Sequence, residues 1–175
     1  MESTFTTSDI YIEQPWGDVI GKRALERPKE NVVTLPLKKP RYSALIVEDD
    51  MSSMHMLDVA LQGTGQFVKL DWATSAEEAM RFLQGRMKNG RTHPYDLIII
   101  DIFLDGRRTG VDLWNFLNEE SLQSVPVVMT SGISEEKFAD LMGRYSIMPK
   151  FLRKPFHMRG CIDTINEAMS KPTWN

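Results

Sequence analysis

A single cysteine, Cys161, stands among the 175 residues of this chain, so no intrachain disulfide can form. That suits a reducing compartment. Long apolar runs are missing as well: the run from Leu97 to Ile100 is far too short to span a bilayer. The opening residues, MESTFTTSDI, lack the basic stretch followed by an apolar one that marks a secretory signal. Neither sign of charge dominates, with a formal net charge of −3 and an isoelectric point near 5.7. This speaks against binding to nucleic acid or to an anionic membrane surface. His55, His93 and His157 have no mutual spacing that makes a nitrogen-ligated metal site. These absences lead us to expect a soluble, cytoplasmic protein.

What is present divides at residue 40. Residues 1–40 carry Pro15, Pro28, Pro36 and Pro40 and balance six basic against six acidic residues. Prolines at such intervals prevent long helices and central strands. Two apolar pieces, residues 10–12 and 16–20, suggest an arm that docks rather than a solvated tail. From Arg41 the pattern alternates. Apolar strand-like runs fall at residues 42–47, 67–72, 95–100, 125–130 and near Phe151. Helical periodicity lies between and after them: Met54, Leu57 and Leu61; Ala79, Met80, Leu83 and Met87; Leu113, Trp114 and Leu117; the stretch from Ser134; Ile162, Ile165 and Met169. Ser75 to Glu78 reads as a capping box. Five β–α repeats predict an α/β fold, a doubly wound parallel five-stranded sheet with helices on both faces. The expected organisation is an arm at 1–40, a domain at 41–172 and a tail at 173–175, with no second domain.

Ligands of such sheets bind at the carboxyl ends of the strands. There the sequence places Glu48-Asp49-Asp50, Asp101, Thr130-Ser131-Gly132 and Arg153-Lys154-Pro155-Phe156. Carboxylate ligands without a His or Cys cluster suit a hard cation such as Mg²⁺. Clustered carboxylates repel one another and need a cation. With Mg²⁺ bound, one carboxylate can attack phosphorus, while a lysine and a hydroxyl hold the phosphoryl oxygens. Asp50 reads as the surface member of its run, and Cys161 as packing on the last helix.

The motifs ALIVEDD, DLIIIDIFL, VPVVMTSG and FLRKPF, in that order, resemble the receiver domain of two-component response regulators, over roughly residues 41–172. The resemblance implies a flavodoxin-like fold and a role for each matching residue. Asp101 becomes the phosphate acceptor. Asp49 binds Mg²⁺ directly, Glu48 through water, and Phe103 through its backbone carbonyl. Ser131 is the switch hydroxyl by its count of five from Pro126, with Thr130 the alternative. Lys154 is the phosphate-binding lysine, Phe151 the switch aromatic, and Lys154-Pro155 a candidate cis peptide. Two departures stand out. Asp105 occupies a place where the family has proline, and Gly110 comes nine residues after the acceptor rather than eight.

A pseudo-receiver that takes no phosphate is the competing binding-module reading, supported by that extra residue. A haloacid-dehalogenase-type phosphatase is disfavoured, because Phe103 stands where its second aspartate belongs. The resemblance further implies a histidine kinase or phosphotransfer protein as donor, a downstream protein as target, and a homodimer formed on phosphorylation as a possible output. No enzymatic activity beyond self-phosphorylation and self-dephosphorylation is expected. The resemblance also places Phe103 and Ile133, both apolar, beside the path of attacking water, and so implies a long-lived phosphoryl group. The output face is expected on the fourth helix, fifth strand and fifth helix, with Phe138, Met142 and Phe151 exposed upon it.

Overall fold

The computed structural model describes residues 41–88, 93–120, 122, 124–145 and 147–170. The expected arm at 1–40 and tail at 173–175 lie outside the described residues. Elements alternate without exception: β1 (Tyr42–Val47), α1 (Met51–Gly63), β2 (Phe67–Ala73), α2 (Ala76–Lys88), β3 (Leu97–Asp101), α3 (Gly110–Glu119), β4 (Val127–Ser131), α4 (Glu135–Met142), β5 (Lys150–Arg153) and α5 (Met158–Met169). The strands form one parallel sheet in the order β2-β1-β3-β4-β5. This is the flavodoxin-like order, in which the strand order reverses between β1 and β3 and opens a crevice there.

The strand pleat sorts side chains to the two faces. Leu45, Val47, Ile98, Ile100, Val127 and Met129 pack against α2, α3 and α4. Ala44, Ile46, Leu97, Ile99 and Val128 pack against α1 and α5. β3 is buried along its whole length, as a central strand covered on both faces must be.

Three details depart from the sequence reading. β3 begins at Leu97, not Tyr95: the Tyr95 hydroxyl donates to Asp71 Oδ2 at 2.7 Å instead of extending the strand. β4 begins at Val127, because Val125 N–H turns back to the Leu122 carbonyl. The Ser75 capping box is half formed. Ser75 Oγ accepts from Glu78 N, but the Glu78 carboxylate accepts from the Thr74 N–H and hydroxyl. A complete box stands at α3, where Thr109 and Asp112 cap each other.

Gly110 fixes the start of α3 against the end of β3. Its N–H donates to the Ile102 carbonyl at 3.0 Å, and a Cβ placed on it would lie 2.0 Å from the Asp101 carbonyl oxygen. The loop between them, with its extra residue, turns through Gly106 at φ +133°, a conformation that disfavours other residues. Gly110→Ala should therefore lower stability by about 2 kcal/mol or more through overpacking. Gly85→Ala, in the exposed middle of α2 with nothing within 4 Å, should raise it by about 0.5–1 kcal/mol. Urea unfolding of the two variants measures both.

Candidate functional site

The carboxyl edge of the sheet brings together four of the expected residues. Glu48, immediately after β1, is fully buried, and Asp101, the last residue of β3, is 6% exposed. Asp49 is half-buried beside them. Carboxylate oxygens of Glu48, Asp49 and Asp101 all lie within 4.8 Å of one another. Lys154, the first residue past β5, closes the group. Its Nζ donates to Asp101 Oδ2 at 2.7 Å and to Glu48 Oε1 at 2.9 Å. Glu48 Oε2 faces the same ammonium at 2.8 Å, an ion-pair contact without hydrogen-bond alignment.

The backbone holds these groups in place. Asp50 caps α1 by accepting from Ser53 N at 2.7 Å, while its own N–H donates to Glu48 Oε1 at 3.2 Å. In this run the helix cap is Asp50, leaving Asp49 free to face the cluster. Phe103 N–H donates to Asp101 Oδ1 at 3.2 Å, and the Phe103 ring is 62% exposed at the edge of the site. The Lys154–Pro155 bond is cis. An open groove of about 350 Å³ runs past Lys154, lined also by Ser52, Ser53, Met56, Pro155 and Phe156.

The two candidate hydroxyls are both buried but differ in direction. The pleat puts Ser131 on the Met129 side of the sheet and Thr130 on the Val128 side. Ser131 Oγ accepts from Ile133 N at 3.4 Å, and Thr130 Oγ1 has no hydrogen-bond partner among the described residues. Neither hydroxyl bonds to Asp101. Phe151 lies outside the cluster, stacked on Phe138 with ring centroids 4.2 Å apart and planes 12° from parallel. The expected exposed surface is corrected here. Phe138 is 5% exposed and Met142 fully buried, because their i, i+4 spacing is the inward stripe of α4. The exposed apolar groups near that end of the chain are Ile147, Met148 and Met158.

Three carboxylates against one ammonium leave the cluster short of positive charge. Burial pushes the Glu48 pKa from its usual 4.5 up to about 7; the Lys154 hydrogen bond pulls it down and the Asp101 charge pushes it up. For Lys154, burial disfavours the charge, but hydrogen bonds to Asp101 and Glu48 outweigh it and hold the group above the usual lysine range. An all-oxygen, acid-rich donor set of this kind fits a hard divalent cation.

Residues 44–166 match the family model of the response regulator receiver domain. The chain belongs to that family. No curated protein matches it. Among similar solved structures, the receiver domain of NtrX from Brucella abortus is 24% identical, with a TM-score of 0.61 over 74% of this chain and 99% of that one. A protein described as a response regulator from Chloroflexus aurantiacus J-10-fl is 27% identical, with a TM-score of 0.59 over 76% of this chain and 100% of that one. The chemotaxis protein CheY4 of Vibrio cholerae is 23% identical, with a TM-score of 0.57 over 72% of this chain and 97% of that one. Among the described residues no helix is long and apolar enough to cross a membrane.

The Glu48 shift has a thermodynamic consequence. Between pH 4.5 and about 7 the folded state binds more protons at Glu48 than the unfolded state does, so this group makes stability fall as pH rises through that window. In a chelating buffer, unfolding free energies measured from about pH 5 to about pH 8 should show that decline, and Glu48→Gln should remove it.

Proposed function

We propose that this protein is a phosphorylation-activated response-regulator receiver that accepts a phosphoryl group on Asp101, in a Mg²⁺-dependent reaction, from a histidine kinase or phosphotransfer protein. The observation that carries this reading is Lys154 Nζ, 2.7 Å from Asp101 Oδ2 inside the acidic cluster. Mg²⁺ would be held by Asp49 and Asp101 directly, by the Phe103 carbonyl, and by Glu48 through water; bound there it supplies charge neutralisation for the incoming phosphoryl oxygens.

The chain's own residues do the rest. An Asp101 carboxylate oxygen attacks phosphorus, the bond from phosphorus to the donor nitrogen breaks, and the nitrogen keeps the electron pair. Lys154 balances the charge spreading over the phosphoryl oxygens. Ser131, the hydroxyl on the Met129 side, then donates to the new phosphate. Its movement opens space behind β4, and Phe151 leaves its stack on Phe138 to fill it. Packed interiors switch between discrete arrangements rather than stretching, so the surface formed by α4, β5 and α5 changes partner affinity. The output is altered protein–protein binding in the cytoplasm, with a phosphorylation-dependent homodimer one form it takes. Catalysis is confined to the protein's own phosphoryl gain and loss.

Incubation with Mg²⁺ and acetyl phosphate should add about 80 Da to the intact mass, the weight of one phosphoryl group. Asp101→Asn should add nothing, since an amide is no nucleophile. Equal uptake by that variant at a hydroxylamine-sensitive site overturns the assignment. The exposed Phe103 ring cannot orient water. Phe103→Asn should hasten loss of the phosphoryl group, by roughly tenfold if about 1.4 kcal/mol of barrier is removed, as followed by mass against time.

A further inference from the structure

Among the described residues β2 pairs only with β1, and its other edge carries no strand. Edge strands present a row of backbone donors and acceptors, and proteins usually blunt them with proline, several charges or a break in register. β2 runs seven residues, FVKLDWA, without proline and with one charge of each sign. The register shift it does have lies opposite Tyr42 and Ser43, at its amino end, and leaves 69–73 in unbroken register. Two of the most exposed large apolar side chains in the domain sit on this strand, Val68 at 56% and Trp72 at 49%.

The order of residues on β2 is self-complementary. When two copies are laid antiparallel about Leu70, Lys69 stands opposite Asp71 and Leu70 opposite Leu70, all within the unbroken register, while Val68, the bulged residue, has no partner on β1. Directly opposed residues of an antiparallel pair point to the same face, where apolar–aromatic and opposite-charge pairs each stabilise. Both charges meet an opposite, and Leu70 meets its own copy. A centre moved one residue either way sets Lys69 against Lys69 or Asp71 against Asp71, which is unfavourable. Lys69 is exposed and makes no ion pair among the described residues. Asp71 receives both Arg86 Nη2, at 2.6 Å, and the Tyr95 hydroxyl, at 2.7 Å, on Oδ2, and its side chain keeps 29% exposure. That leaves Oδ1 for a cation across the edge, on an aspartate already held in position.

We propose that the free edge of β2 is a homodimerisation site at which two copies of this chain pair antiparallel about Leu70, making one continuous ten-stranded sheet. The interface is isologous, as a two-fold requires. Its axis is normal to the sheet, so the two acidic clusters point in opposite directions and the two β5 edges stand at the outer ends. The pairing involves no residue of the phosphorylation site and does not depend on it. A single strand pair lies at the small end of specific interfaces, below about 1,200 Å² in total, so the association is weak and concentration-dependent.

The full-length protein tests this. In sedimentation velocity its mass should rise toward that of two chains over roughly 1 to 500 μM, the range expected of a small interface. Lys69→Glu, which sets like charges opposite one another while touching no internal partner, should weaken association at least about tenfold. Leu70→Cys should give an intermolecular disulfide by itself, since a residue on the two-fold stands opposite its own copy within bridging distance. Cys161 is buried and takes no part. A monomer at every concentration, as when the arm or another partner covers this edge, overturns the proposal. So does unchanged association of Lys69→Glu, or no cross-linking by Leu70→Cys.

Discussion

One ammonium group holds the carboxyl edge of the sheet together. Lys154 meets Glu48 across 106 residues of sequence and Asp101 across 53. Without it, two buried carboxylates would face each other in a medium that screens charge poorly. Its position depends on the sheet: Lys154 N–H donates to the Ser131 carbonyl at 2.7 Å, Ile102 N–H donates to the Thr130 carbonyl at 2.9 Å, and Glu48 N–H donates to the Ala73 carbonyl at 3.0 Å. These bonds continue the strand ladder one step past the strands' ends. They align groups from β1, β3 and β5 that the chain itself keeps far apart. A slip in any one pairing would move a charge away from its counter-charge, so register and site are a single constraint.

The same ladder joins the acidic edge to the opposite side of the domain. Ser131 belongs to β4, whose neighbour is β5, and Phe151 of β5 is paired in register with Met129. Phe151 in turn lies flat on Phe138 of α4. The route from the acidic cluster to α4 thus crosses two strands and one aromatic stack, with no loop in between. An aromatic pair gains about 0.5–1.5 kcal/mol beyond simple burial. In the switch proposed above, whatever frees Phe151 would first have to offset that stack.

Much of the fold was legible because its signals are local and repeated. Most strands and helices announced themselves by period, α4 and β5 only by their place in the alternation, and the central position of β3 by the unbroken run Leu97 to Ile100. The cluster was legible for the same reason: a parallel sheet brings all its strand ends to one edge, so residues that follow strands must meet. Legibility failed where a side chain had two partners to choose between. Glu78 had the Thr74 and Ser75 amides within reach and took Thr74. Tyr95 reads as strand by its aromatic character, yet Asp71 claims its hydroxyl and Arg86 lies over its ring at 4.0 Å. The α4 residues failed differently. Phe138 and Met142 were read as output surface, although their spacing marks them as core, and the helix is too short to offer a second apolar stripe. Periodicity also could not say that Phe138 would stack on Phe151, since that contact joins residues set by separate elements.

The Asp101–Gly110 contact makes the loop between them unequal in what it tolerates. The tip turns through Gly106, where a Cβ would meet only the flexible end of the Glu77 side chain, at 3.4 Å. A single methyl group at the base is not accommodated, because Gly110 rests on the carbonyl of Asp101 itself. The tip around Asp105, Arg107 and Arg108 can therefore change in length or charge without disturbing the contact at its base. The base admits no such change. The segment acts as a fixed hinge plate carrying an interchangeable leaf.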